Sequence, residues 1–276
     1  MPRRPPLWRT GPARVPPGRT GTRRARRRTC PEREARTVTV SGEKEAGQGY
    51  DAGPFLPRRG GLPALRSAAA ACEGCPLFRN ATQTVFGAGP SSARIVLVGE
   101  QPGDQEDRQG EPFVGPAGRL LRDALEEAGI DAKSAYFTNA VKHFKFEPAV
   151  RGKRRIHKAP SLREMSACRP WLAAELRKIE PDLVMALGAT AGKAVLGGSF
   201  RVSEQRGLLL PLPAWDELGR ADVSGATGIP EREAAAHGCV IGTIHPSAVL
   251  RSDDREAAFR GLVSDLRVAA DVLAAA

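Results

Sequence analysis

Three short stretches of this chain carry side chains able to do chemistry together. Gly99-Glu100-Gln101-Pro102-Gly103 follows the apolar run Ile95–Val98, and His245-Pro246-Ser247 follows Val240–Ile244. Between them lies the basic run Lys153-Arg154-Arg155-Ile156-His157. The two turns have the form of an active site built at strand ends. The cations beside His157 disfavour a further positive charge, so its neutral, nucleophilic form is expected. Whether His157 binds, catalyses or reacts is the central question that these residues raise.

A second set of side chains is soft. Cys72-x2-Cys75 has the spacing of a metal site, and Cys168 supplies a third thiol much further along. On the donor chemistry alone, zinc has a slight advantage over an iron-sulfur cluster. Cys30 and Cys239 complete an odd total of five and read as bystanders. This usage predicts a reducing, cytoplasmic setting.

The elements that must position these residues follow from periodicity. Arg94–Gly99, Tyr136–Ala140, Leu183–Gly188 and Val240–Ile244 are short apolar runs of the kind buried on both faces of a parallel sheet. Helical patterns alternate with them. Gly61 to Ala71 leads into the cysteine pair, and Leu120, Leu121, Ala124, Leu125 and Ala128 share one helical face ahead of Gly129. Ser161 and Glu164 form a capping box that opens a helix bearing Cys168, Trp171, Leu172 and Leu176. Thr190 to Leu196 and Ala257 to Leu273 are the last two helices, Leu208–Leu212 is a candidate edge strand, and 213–238 reads as a loop. The alternation predicts a three-layer α/β/α domain around a mainly parallel four-stranded sheet. Glu100, Asn139, Gly188 and His245 each follow a strand, so all four fall on the sheet edge where ligands bind in open α/β folds.

Charge is confined to one end. Residues 1–36 hold 12 Arg against 2 Glu, a net +10, whereas the whole chain is +11, which leaves about +1 for the remainder. Residues 1–50 are expected to be a disordered Arg/Pro/Gly-rich extension, and 51–276 the folded domain. A phosphate-binding arm and an inconsequential upstream extension are equally good readings of that tail. No apolar run reaches the length needed to span a membrane, and no signal-peptide core follows Met1.

In their order and spacing these motifs resemble the uracil-DNA glycosylase superfamily over roughly residues 62 to 274. The cysteine pair and the Glu100-Gln101-Pro102-Gly103 turn resemble its iron-sulfur, family 4 branch. The KRRIH run resembles more narrowly the UdgX type, which becomes bonded to the DNA it acts on.

The resemblance implies roles for individual residues. Phe113 would stack on a uracil turned out of the duplex, Asn139 would read its edge, and His245 would stabilise the departing base. Glu100 would stabilise the sugar cation, while Gln101 stands where enzymes that turn over usually carry a small residue. Asp104 would orient a neighbour or cap the next loop. Ser247, Arg251, Arg154 and Arg155 would contact phosphate or sugar. His143, at the position of a cysteine ligand in the family, would complete a [4Fe-4S] site with Cys72, Cys75 and Cys168; zinc is the alternative.

The function expected is excision of uracil from DNA, followed by capture of the abasic sugar on His157, by a protein acting as a monomer. The alternatives are an ordinary turning-over glycosylase, in which His157 only binds phosphate, and a noncatalytic DNA-binding scaffold.

Overall fold

The computed structural model describes residues 49–147 and 155–275. The N-terminal extension up to residue 48, with Lys153 and Arg154, lies outside them. The strands are β1 (Ile95–Gly99), β2 (Tyr136–Asn139), β3 (Phe146–Glu147), β4 (Ile156–His157), β5 (Leu183–Leu187), β6 (Leu209–Pro211) and β7 (Cys239–Thr243). The helices are α1 (Leu62–Ala69), α2 (Asp104–Gln109), α3 (Pro116–Glu127), α4 (Leu162–Ile179), α5 (Gly188–Val195), α6 (Val202–Gln205), α7 (Glu231–His237), α8 (Pro246–Arg251) and α9 (Arg255–Ala275).

The central sheet has the order β2-β1-β5-β7-β6. The first four strands are the predicted parallel ones, and β6 adds a fifth, antiparallel edge strand against β7. Along β1, successive side chains enter opposite cores, as strand geometry requires. Val96 and Val98 pack with Trp171, Leu172 and Leu176 of α4, while Ile95 and Leu97 pack with Leu121 and Leu125 of α3 and Leu262 and Leu266 of α9. Both faces are therefore covered, which is why the strands read as unbroken apolar runs. Among the described residues no helix is long and apolar enough to cross a membrane.

The capping box at Ser161 and Glu164 forms as predicted and starts α4, which continues to Ile179. The stretch 213–238 differs from the loop expected of it. Its last part, Glu231–His237, is α7, which begins after Pro230 and buries Ala234. Ala- and Glu-rich composition supports a short helix there once one face has a core to meet. A second small sheet pairs β3 with β4, setting Phe146 opposite His157. This ribbon carries the end of the basic run.

The chain runs outward from β1 to β2 and then crosses to β5 on the other side, so β1 and β5 flank the point where the strand order reverses. Ligand crevices form at such points. Glu100 and Gly188 leave the sheet there.

Candidate active site

A cavity of about 670 Å³ opens beyond the C-terminal ends of β1, β2, β5 and β7. It brings Glu100, Gln101, Asp104, Phe113, Asn139, His157, His245, Ser247 and Arg251 to one place, together with Thr190, which the sequence reading did not single out.

Asn139 ends β2 and Phe113 precedes α3, and they meet over Gly99. A Cβ on Gly99 would lie 2.3 Å from Asn139 Oδ1 and 2.7 Å from Phe113 Cζ, so only glycine lets the two side chains close over the strand end. Phe113 is held at φ 57°, an unfavourable backbone region for a bulky residue. Arg122 secures it by donating to its carbonyl at 2.6 Å. Phe113 is thus a locally strained, almost fully buried aromatic in the cavity wall.

His245 is the N-cap of α8. Its Nδ1 accepts the Ser247 backbone N–H at 3.1 Å and lies 2.7 Å from the Ser247 hydroxyl. The neutral ring therefore carries its proton on Nε2. Burial, with help from Arg251 and His157, holds its pKa down at about 4. His245 is thus a neutral donor at ordinary pH, oriented by Ser247. The Ser247 hydroxyl, expected to touch phosphate or sugar, is engaged with the imidazole, whereas Arg251 lines the cavity mouth.

Glu100 is held from one side by the Thr190 hydroxyl, which donates to its Oε2. Its Oε1 lies 3.5 Å from His157 Nε2. Gln101 is buried and acts as a staple. Its Nε2 approaches the carbonyls of Lys145 (3.1 Å) and Lys158 (2.9 Å), its Oε1 accepts from the Lys145 N–H at 3.1 Å, and Nε2 also lies 2.9 Å from His157 Nε2. The side chain after Glu100 thus grips the residues that flank both strands of the β3–β4 ribbon and the ring that it carries.

The His157 pKa is lowered as expected, but the cause differs from the one anticipated. Burial is the main influence; Glu100 opposes it and Arg251 reinforces it. Arg155 contributes little because its charge is neutralised inside the protein. It forms an ion pair with the Asp104 carboxylate, lies 2.6 Å from the fully buried Asp107, and reaches the Asp104 carbonyl at 3.3 Å. Its guanidinium also covers Phe146 at 4.7 Å and Phe144 at 5.3 Å. Arg155 therefore anchors the ribbon to α2, in place of the phosphate contact expected of it. Desolvation works against the Asp104 carboxylate, but Arg155 and Arg108 hold its pKa below the ordinary value.

Cys72, Cys75 and Cys168 are all buried. The Cys72 sulfur accepts the Trp171 indole N–H at 3.2 Å, and the Cys168 sulfur accepts the Lys142 backbone N–H at 3.3 Å. Burial pushes the Cys168 thiol up to about 12, with Cys75 and Cys72 adding to the rise, which places the three sulfurs within electrostatic reach of one another.

His143 is buried, and desolvation holds it neutral with a pKa of about 4. The Thr84 hydroxyl gives its single proton to the Ala69 carbonyl, so at 2.9 Å from His143 Nε2 it must accept from the ring. That fixes the tautomer and leaves the Nδ1 lone pair as the donor, the outer-shell arrangement usual for a ligating histidine.

Desolvated thiols with N–H groups aimed at sulfur suit an iron-sulfur cluster. Among the described residues no group of three or more His, Cys, Asp or Glu side chains is drawn together as a ready-made metal site, for zinc or for a cluster. Cys239 packs in the opposite core.

The family model described as the uracil DNA glycosylase superfamily matches residues 86–267. The chain is 37% identical over 186 residues to the type-4 uracil-DNA glycosylase of Thermotoga maritima, covering 67% of this chain and 81% of that one. It is 32% identical over 180 residues to the type-4 uracil-DNA glycosylase of Pyrobaculum aerophilum, covering 65% and 80%. A third, from Archaeoglobus fulgidus, is 36% identical over 124 residues, covering 45% and 58%.

Proposed function

The chain belongs to the uracil DNA glycosylase superfamily, and we propose that it excises uracil from DNA in the cavity at the strand ends and then captures the abasic sugar on His157. The type-4 relatives support the excision reaction. The capture step rests on one observation: His157 Nε2 is held 2.9 Å from the Gln101 amide and 3.5 Å from Glu100 Oε1.

In this reading Phe113 stacks on the extruded base. The Asn139 amide pairs with its edge in the donor–acceptor pattern of uracil and not of cytosine. As the C1′–N1 bond breaks, its electron pair leaves with the base, and His245 Nε2–H donates to the uracil carbonyl on which the negative charge collects. The sugar becomes oxocarbenium-like, by analogy with glycoside cleavage, and the Glu100 carboxylate stabilises it. A ring nitrogen held beside that carboxylate reaches C1′ ahead of a diffusing water. The Nε2 lone pair gives up the Gln101 N–H and forms the bond to C1′, the imidazolium loses its Nδ1 proton to solvent, and a neutral N-alkyl imidazole remains. Such a group leaves poorly, so the protein acts once.

Cys72, Cys75, Cys168 and His143 would hold a [4Fe-4S] cluster that ties the segment before β1 to the turn after β2. The chain's own residues carry every step of the reaction.

The reading is tested by mixing the protein with an end-labelled oligonucleotide containing one uracil and resolving the products on a denaturing gel. A band shift that survives heat and detergent is expected, and His157→Ala should abolish it while leaving slow release of free uracil. Unshifted DNA that breaks under alkali would instead identify the ordinary turnover of the type-4 relatives, with His157 demoted to a DNA contact. A covalent band persisting in His157→Ala would remove this residue from the nucleophile's role.

A further inference from the structure

Beneath the uracil pocket lies an ion pair that the reaction does not use. Lys142 and Glu175 are 1% and 0% exposed, and Lys142 Nζ lies 2.5 Å from Glu175 Oε2. The ammonium also donates to Thr138 Oγ1 at 2.6 Å and to the backbone carbonyl of Asn139 at 2.8 Å, so its three protons are all engaged. Glu175 in turn accepts from the Gly87 N–H and the Tyr136 hydroxyl, each at 3.0 Å, and from Thr138.

Burying such a pair is costly, and well-packed apolar residues of the same volume often serve stability equally well. Its placement suggests another use. Strand alternation sends Thr138 down toward Glu175 and Asn139 up into the cavity. Lys142 grips the peptide at the root of the amide that reads the base. Its own backbone N–H meanwhile bonds the Cys168 sulfur, and Cys168 stands two helical turns before Glu175 on α4. One five-residue turn, 139–143, thus carries the base-reading amide at one end and a candidate cluster ligand at the other. The buried pair is the rigid link between them.

We propose that Lys142, held by Glu175, is a positioning residue that fixes the Asn139 amide for uracil and couples its placement to the cysteine site. This rests on the reading of the cavity as a uracil pocket. Amide readout tolerates only small displacements, and a shift of about 1 Å at a reacting site can cost on the order of 100-fold.

The test uses the cluster-loaded protein and single-turnover uracil release from an oligonucleotide. Lys142→Met with Glu175→Gln removes both charges at once, so no lone charge is left buried. The double variant should keep the iron content of the wild type and lose about 10- to 100-fold in rate at saturating DNA. Its half-saturating DNA concentration should stay within about twofold of wild type, because remote DNA contacts are untouched. In an Asn139→Ala background the same pair of substitutions should cost less than about twofold, because the group it positions is gone.

Glu175→Gln alone is isosteric and keeps an acceptor for Gly87 and Tyr136. It should show a smaller loss with the same dependence on Asn139, and that comparison decides the matter if the double variant does not fold. Equal losses in both backgrounds, or no loss at all, would overturn the assignment while leaving the uracil reading intact. Wild-type protein that releases no uracil would overturn both.

Discussion

The side-chain nitrogen of Gln101 lies 2.9 Å from Nε2 of His157, while the same amide spans the backbone of Lys145 and Lys158. One buried glutamine therefore connects the carboxylate turn after β1 to the ribbon that presents the proposed nucleophile. Gln101→Ala should free the ribbon while leaving Phe113, Asn139 and His245 in place. Formation of the heat-stable DNA adduct is expected to slow by about 10- to 100-fold, the usual cost of removing an orienting partner. Uracil release should slow by much less. Following both products in one time course separates the two. An equal slowing of both would mean that Gln101 serves the excision step itself.

Arg155 and Asp107 make a contrasting prediction about DNA binding. Because the guanidinium is spent on Asp104 and Asp107, Arg155→Ala should leave the salt dependence of DNA affinity unchanged, whereas Arg251→Ala should lower its slope by about one. Arg155→Ala leaves the fully buried Asp107 carboxylate without its cation, with a stability loss of about 3 kcal/mol. Thermal melting and binding titrations at several salt concentrations check the two halves separately. A reduced slope in Arg155→Ala would return this arginine to the phosphates.

Proton linkage should be visible at His245. Its folded pKa is about 4, against an ordinary value of 6.5. Between these values the unfolded chain binds a proton that the folded chain refuses. The contribution of His245 to stability is therefore complete above about pH 6.5 and is lost as pH falls toward 4. The slope in that window approaches one proton, about 1.4 kcal/mol per pH unit. His245→Asn should flatten it in denaturant titrations run at several pH values.

His157 should set the acid limb of adduct formation. Burial lowers its pKa, so the neutral ring persists below the ordinary histidine range. Adduct formation is expected to be flat above about pH 6.5 and to fall with a midpoint below it. Release of uracil in His157→Ala should lack that limb. A midpoint above 6.5 would contradict the partly desolvated ring beside Gln101.

Much of the framework was legible from local patterns, because local physics determines it. The β1, β2, β5 and β7 runs are buried on both faces, and Ser161 with Glu164 caps α4 through bonds three residues apart. Strand-end position alone was enough to gather Glu100, Asn139 and His245 on one edge. What escaped notice depends on partners distant in sequence. Arg155 reads as one more cation in a basic run until α2 brings Asp104 and Asp107 against it. Lys142 carries no signal of its own until Glu175, 33 residues on, arrives beneath the sheet. The β3–β4 ribbon pairs only two residues per strand, too few to leave a periodic signal.

Thr190 is the clearest of these omissions and leads to a sharp test. It sits in the first turn of α5, directly after the β5 strand end, where its hydroxyl donates to Glu100 Oε2 and leaves Oε1 turned toward His157. In the proposed reaction this carboxylate faces a sugar cation with one oxygen, and a tether on the other spares the rotation that binding would otherwise freeze. Thr190→Val is nearly isosteric and removes only the hydroxyl. It should lower the rate of uracil release at saturating DNA by about 10-fold, in line with the loss of one hydrogen bond to a charged group. DNA affinity should stay unchanged, since the tether contacts no phosphate. Thr190→Ser keeps the donor and should restore most of the rate. If serine fails where valine fails, the methyl group and its packing matter, and the tether is not what orients Glu100.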